Sequence, residues 1–531
     1  MRKAAVVGIL FLVVALVIGF LTIGKNWPPR EETLAYRFKT DAPSLDSAQL
    51  RDTTSSTVAQ CIYDGLVEQD PLTLEVRPEL AESWDVSEDG TVFTFHLRKG
   101  VLFHNGREVT ADDFKYSMER VLSPATAANQ RWVLEEIKGS DDFKGSPGEH
   151  VEGIEVLDRY TLRLTIKRPY QPFLGLLSME AASPVPREEV ERWGEDFTSH
   201  PMGCGPYKFV KWKRDAAIVL ERFEGYWGEA PQIKYIKFTV IPDDAVALEK
   251  YLNGDFDMLM ELPVKRIREL LNDYPNEAHL WPMLGVNYIA FNHTKPPFKD
   301  NRALRQAFNY AVNKQAICDV ILEGIPSPSR GVLPPGFPSF DETLEGYPYD
   351  KDKAEALLAE AGYPNGEGLP EITLQFNTSE AHEAVCQAIQ NNLREIGVRV
   401  RLKNLEWGAH LDSLKDHEPE LFRAGWLADV PSEDNFLQLL VTGNETNYSG
   451  YANPEFDALF EQARFATDPV EQRRLYREAN RLIVDDAAWL FIYWYRDVMM
   501  IKPYVKGWVR PVQGDFRMPL HTLRFSAPPG S

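Results

Sequence analysis

Leu421-Phe422-Arg423-Ala424-Gly425-Trp426-Leu427-Ala428-Asp429 is the stretch whose reading decides the fold. Leu421, Arg423, Gly425 and Leu427 alternate with Phe422, Ala424, Trp426 and Ala428, the period of two expected of a strand inside a sheet. Asp429 stands where that strand stops. Upstream, Ile372-Thr373-Leu374-Gln375-Phe376 reads as a second strand, and Ser379 offers a side-chain oxygen to cap a helix beginning near Glu380. Val385, Ile389, Leu393 and Ile396 share one face of that helix, and Gly397 is placed to stop it. Val398, Val400 and Leu402 then alternate with Arg399, Arg401 and Lys403, so another strand follows at once. Strand, helix, strand is a βαβ unit. Its crossover makes the strands parallel, and ligands of open α/β sheets gather beyond the carboxyl ends of such strands, where Asp429 is expected.

Outward from this unit, Leu34-Ala35-Tyr36-Arg37-Phe38 reads as a first strand, followed by a helix over residues 56–66. Residues 81–86, the turn Glu88-Asp89-Gly90 and a strand carrying Phe93, Phe95 and Leu97 on one face form a hairpin. Thr110 is a natural N-cap, with Asp112 and Asp113 in the first turn favourable to the helix dipole. A second hairpin spans residues 154–166 and turns near Asp158-Arg159. Longer strands over residues 217–220 and 235–241 precede a helix holding Leu248, Tyr251 and Leu252. Farther on, Asp300, Asn313 and Asp350 are placed to open helices, the last closed by Gly362 and Pro364. The character of the chain changes near Asp64, Arg187, Leu284 and Asp497, which marks these as candidate boundaries. No fixed-period repeat is visible.

At 531 residues the chain exceeds one core and calls for two or three domains. A net charge of −21 with no basic run argues against a nucleic-acid partner, which needs clustered Lys and Arg. Arg2 and Lys3 precede an almost wholly apolar run over residues 4–23, long enough to be a secretory signal or an uncleaved bilayer anchor. With the positive end inside, the rest of the chain is expected outside the cytoplasm. No cysteine precedes Cys61, so a lipid-anchored export signal is disfavoured. Cys61, Cys204, Cys318 and Cys386 show no metal-ligand spacing and are expected to be buried thiols.

The motifs of common enzymes are missing. No GxSxG elbow, GxxxxGK[ST] phosphate loop or GxGxxG turn occurs. His382-Glu383 lacks the second histidine of a zinc-protease helix and reads as a solvated helix face, while His96 and His104 suit strand and loop surfaces. The reading is therefore of a non-enzyme without cofactor or metal.

At the segments quoted, the sequence resembles the extracytoplasmic solute-binding proteins of family 5, the oligopeptide- and dipeptide-binding proteins that feed ATP-driven importers. The resemblance rests on Leu80-Ala81-Glu82-Ser83-Trp84, on Phe93-Thr94-Phe95-His96-Leu97-Arg98-Lys99-Gly100, and on Phe103-His104-Asn105-Gly106 through Asp113-Phe114. Gly205-Pro206-Tyr207, Pro296-Pro297-Phe298-Lys299-Asp300 with Arg302, and Arg423-Ala424-Gly425-Trp426 with Ala428-Asp429 complete it. It implies an α/β, two-lobed periplasmic-binding-protein fold, type II-like and cluster C, with three domains behind an N-terminal signal or transmembrane helix at residues 1–32. Domain I is then residues 33–63 with 187–284 and 498–531, domain II the inserted residues 64–186, and domain III residues 285–497.

The same resemblance implies a monomer that shuts over an extended peptide by hinge motion and is recognised by a membrane permease. Asp429 matches the carboxylate that receives the peptide ammonium, against the plainer reading of an Asp capping the next helix. Trp407 and Trp426 match aromatic pocket walls, or are plain core. Arg423 matches a residue in the region that balances the peptide carboxylate, or forms a structural salt bridge. Tyr288 is expected to contact the peptide backbone. A second basic residue of oligopeptide binders is replaced by Leu414, and a cysteine pair found in some relatives is replaced by Leu427 and Gly285. A tethered sensor, or a binder of a sugar, nickel complex or opine on the same fold, remains the alternative.

Overall fold

A computed structural model describes residues 27–428, 432–466, 468–511 and 513–529. The apolar run at residues 4–23 and Asp429 lie outside the described residues, and among the described residues no helix is long and apolar enough to cross a membrane.

The βαβ unit forms as its periodicity requires. Ile372–Asn377 and Val400–Leu405 pair in parallel, from Ile372 opposite Val400 to Asn377 opposite Leu405, and the helix Glu380–Glu395 joins them. Val385, Cys386, Ile389 and Leu393 are the buried face of that helix. Gly397 stops it with a φ of +87°, and a Cβ there would lie 2.0 Å from the Asn365 carbonyl oxygen, so only glycine fits. Two details differ from the sequence reading. Ser379 holds the N-cap position but its side chain makes no capping bond. The second strand begins at Val400 rather than Val398, because the Val398 amide is used to close the helix on the Leu393 carbonyl at 3.0 Å.

Leu421–Leu427 runs parallel to the first of these strands, with Leu374 opposite Leu421, and antiparallel to the long strand Ala278–Phe291. That strand in turn pairs antiparallel with Trp489–Ile501, which reaches Met258–Met260 and, beyond it, Thr33–Phe38, Tyr235–Val240, Ala217–Arg222 and Tyr207–Lys213. Two long strands thus carry one mixed sheet from its first half into its second. Between the pairs Pro282–Arg496 and Val286–Trp494 the register slips, so that Met283, Leu284 and Gly285 face Tyr495 alone. Such a bulge bends the ladder at its crossing point.

A separate antiparallel sheet orders Ala81–Val86, Val92–Leu97, Thr161–Thr165 and Ile154–Asp158. Phe93, Phe95, Leu97, Leu162 and Leu164 form its buried face and pack with Phe114 and Met118 in a core of their own. The helix carrying the last two, Ala111–Leu122, starts at a capping box made by Thr110 and Asp113.

Further expectations are corrected or met locally. The helix expected at residues 56–66 spans Thr53–Ile62, because Asp52 accepts the Ser55 amide at 2.9 Å and starts it early. Asp300 does not cap Arg302–Ala311. Its φ is +54°, and Asn301 caps instead, accepting the Leu304 amide at 3.1 Å. Asn313 and Asp350 cap as expected, and all four cysteines are free and buried.

Candidate functional site

A cavity of about 930 Å³ lies where the two halves of the large sheet and the smaller sheet's unit face one another. Its walls come from residues 39–56 and 244–267 of the first half, residues 123–144 of the unit bearing the small sheet, and residues 377–382, 407–415, 423–427 and 493–498 of the second half.

The central strand delivers Arg423 to this cavity. The residue is only 7% exposed. Its guanidinium donates to Asn377 Oδ1 at 3.2 Å and to the Tyr495 hydroxyl, and its Nε has no partner. Tyr495 accepts in turn from Asn287 Nδ2 at 3.0 Å. Among the described residues no carboxylate lies within 4.0 Å of Arg423, so the salt-bridge reading is not met there. A buried cation held only by neutral dipoles is undercompensated and attracts an anion.

Trp407 opens the helix Trp407–Lys415 and is half-buried at the cavity wall. That helix is fastened to the central strand through His410, which is fully buried. Its Nε2 donates to the Arg423 carbonyl at 3.1 Å and its Nδ1 accepts from Gln375 Nε2 at 3.2 Å. Burial lowers the His410 pKa to about 4, so it stays neutral and holds this geometry across ordinary pH. Trp426 is half-buried on the opposite side of the strand from Arg423, lines the cavity, and is oriented by donation from its Nε1 to Asn435 Oδ1 at 2.9 Å. Tyr288 also lines the cavity, but its ring is stacked on Trp489 with centres 3.6 Å apart, and burial pushes its hydroxyl pKa up.

Arg423, Trp407, Trp426 and Tyr288 therefore meet at one cavity; Asp429 is outside the described residues. Three further lining residues were not singled out from the sequence. Asn377 and Tyr495 support Arg423, and no local signal marks Tyr495 within the aromatic run of its strand. His382 was read with Glu383 as a solvated helix face, which is corrected: Glu383 is exposed, whereas His382 lines the cavity with Nδ1 3.3 Å from the Asn377 carbonyl oxygen. Burial, then the nearby charge of Arg423, drives its pKa well below the usual value. Leu427 and Gly285 stand directly opposite each other across the strand pair, and a Cβ on Gly285 would lie 2.5 Å from Leu427 Cδ2. Among the described residues no cluster of His, Cys, Asp and Glu is arranged to hold a metal ion.

Comparison with known proteins places this geometry. The pattern of bacterial extracellular solute-binding proteins, family 5 Middle, matches residues 75–448. The periplasmic oligopeptide-binding protein OppA of Escherichia coli (strain K12) is 31% identical over 491 residues, which is 90% of each chain. Haemophilus influenzae OppA in complex with RPPGFSPFR superposes with a TM-score of 0.86 at 27% identity, covering 94% of this chain and all of that one. Two further similar structures, each 27% identical, are of the murein tripeptide binding protein MppA, the first from Escherichia coli. The first matches with a TM-score of 0.85 over 93% of this chain and 98% of that one, and the second, an unliganded open form, with 0.67 over 94% and 98%. The chain thus superposes better on the former than on the unliganded open form. The chain belongs to the family-5 bacterial extracellular solute-binding proteins.

Proposed function

We propose that this protein is the extracytoplasmic substrate-binding component of an ATP-driven importer and takes oligopeptides into the cavity. One observation carries the reading: Arg423, a buried cation with no acid partner among the described residues, faces a cavity walled by two half-buried tryptophans. A peptide carboxylate would complete the charge, and the indole faces accept varied side chains without demanding one. Peptide complexes of relatives, such as that of the Haemophilus protein, support the same class of ligand.

In this reading residues 33–63, 187–284 and 498–531 with the inserted 64–186 make one lobe, and residues 285–497 make the other. The bulge at Met283, Leu284 and Gly285 is the hinge. Asp429, just beyond the central strand, receives the ligand ammonium. Residues 1–32 direct export and tether the chain outside the cytoplasm, where a closed, monomeric, peptide-loaded form meets its permease.

Calorimetry with paired peptides tests the assignment. Arg423→Met is expected to weaken a free peptide about 10- to 100-fold and the same peptide amidated at its carboxyl end much less, as befits loss of a charge-assisted contact. Asp429→Asn is expected to discriminate in the same way between a free and an acetylated amino end. Equal losses for the free and blocked peptides would remove that residue from the site.

A further inference from the structure

Outside the cavity, the unit bearing the small sheet and the second half of the large sheet are joined by a buried ionic cluster. Arg464, the last residue of the helix Pro454–Arg464, is its centre, with a side chain 15% exposed. Its Nη2 lies 3.1 Å from Glu136 Oε1 and 3.7 Å from Glu135 Oε1, both on the far side of the junction, while its Nε lies 3.1 Å from Asp434 Oδ2 on its own side. Tyr170, again from the far side, places its ring 4.7 Å from the guanidinium and donates its hydroxyl to Asp434 Oδ2 at 2.7 Å. Tyr476 donates to the other oxygen of Asp434. At the rim Arg168 covers the Phe465 ring at 3.1 Å and pairs with Glu461. None of these residues lines the cavity.

We propose that this cluster is a latch between the lobes: Arg464 and its acids hold the closed form and so set how slowly bound ligand leaves. The inference rests on the hinge reading above. Four acids, Glu135, Glu136, Asp434 and Glu461, face Arg464 and Arg168, whose Nε lies 3.9 Å from Glu136 Oε2, while Lys167 and Arg131 also act on Glu135. Glu136 Oε2 has no hydrogen-bond partner, and burial raises the pKa of Glu135 and of Asp434, the signs of carboxylates taken out of water at a cost. Desolvation and attraction nearly cancel in such a cluster, and its balance depends on Arg464. The latch therefore lets the empty protein visit the closed form without locking it, and the contacts made by ligand decide which form dominates. Because the cluster forms only on closing, it acts on release and leaves encounter almost unchanged.

The test uses the exported chain with cysteines at the exposed positions Leu72 and Val470, labelled for single-molecule FRET, the native cysteines being buried. Peptide release is followed by stopped flow. Arg464→Met is expected to lower the closed fraction of the unliganded protein and to speed release at least tenfold, with association changed less than threefold. Adding Glu136→Gln to it removes a charge left unbalanced and is expected to recover at least a threefold part of that loss, which a merely structural role for Arg464 does not predict. Should Arg464→Met not fold, the rim variant Arg168→Gln decides alone, with release about threefold faster. Closed fractions and release rates within twofold of the parent, or a parent that never closes when empty, would overturn the latch. If no peptide is retained at all, the peptide reading fails, while FRET on the empty protein still decides the latch.

Discussion

Single residues show how burial turns a charge into a functional or an energetic statement. Arg423 and Lys314 are both buried cations without acid partners among the described residues, yet only Arg423 faces the cavity. The Lys314 amine lies 5.7 Å from the centre of the Tyr347 ring and has no hydrogen-bond partner, and burial lowers its pKa to about 7. The unfolded chain holds that proton up to the ordinary lysine range, whereas the folded chain gives it up near 7. Stability therefore rises with pH between about 7 and 10, and the cost is fully present below 7. Lys314→Met is expected to stabilise the fold by about 1–3 kcal/mol at pH 7 and to flatten that rise, as thermal melts across pH will show. The resemblance singles out Arg423 in the sequence, whereas nothing in Asn313-Lys314-Gln315 marks Lys314 as a buried cation.

At the scale of elements, ends and registers were legible wherever a side chain or a glycine acts on its own neighbours. Thr110, Asn313, Asp350 and Gly397 do what their residue types suggest, because capping is settled within four residues. Ser379 holds the N-cap position without a side-chain capping bond, and at Asp300 a neighbour competes, since Asn301 takes that cap. Gly425 shows what a strand can hide. A Cβ on it would lie 2.5 Å from the Tyr495 hydroxyl and 3.0 Å from Arg423 Nη2, so the glycine is what lets the support of Arg423 assemble. Gly425→Ala is expected to weaken ligand binding about tenfold while costing only about 1–2 kcal/mol of stability, as calorimetry beside a denaturant titration will check.

For the whole molecule, the bulged crossing of Ala278–Phe291 with Trp489–Ile501 and the poor match to an open relative both bear on motion. A peptide ligand is expected to reduce the radius of gyration in solution scattering. Raising salt is expected to speed release modestly through the half-exposed Arg168–Glu461 pair, since screening acts on charges that water reaches. Scattering that stays unchanged at saturating peptide would count against hinge closure.

The sequence by itself determined the elements, the βαβ unit with its parallel strands, and the kinds of residue offered at the end of the central strand. These follow from periodicity and from contacts between residues near in the chain. Only the tertiary structure decided that Tyr495, Asn377 and His382 gather around Arg423, that Tyr288 is stacked on Trp489, and that Arg464 meets Glu136 across a junction. Those meetings join residues tens to hundreds of positions apart, and burial, which sets the energy of each charge, exists only once the chain has packed.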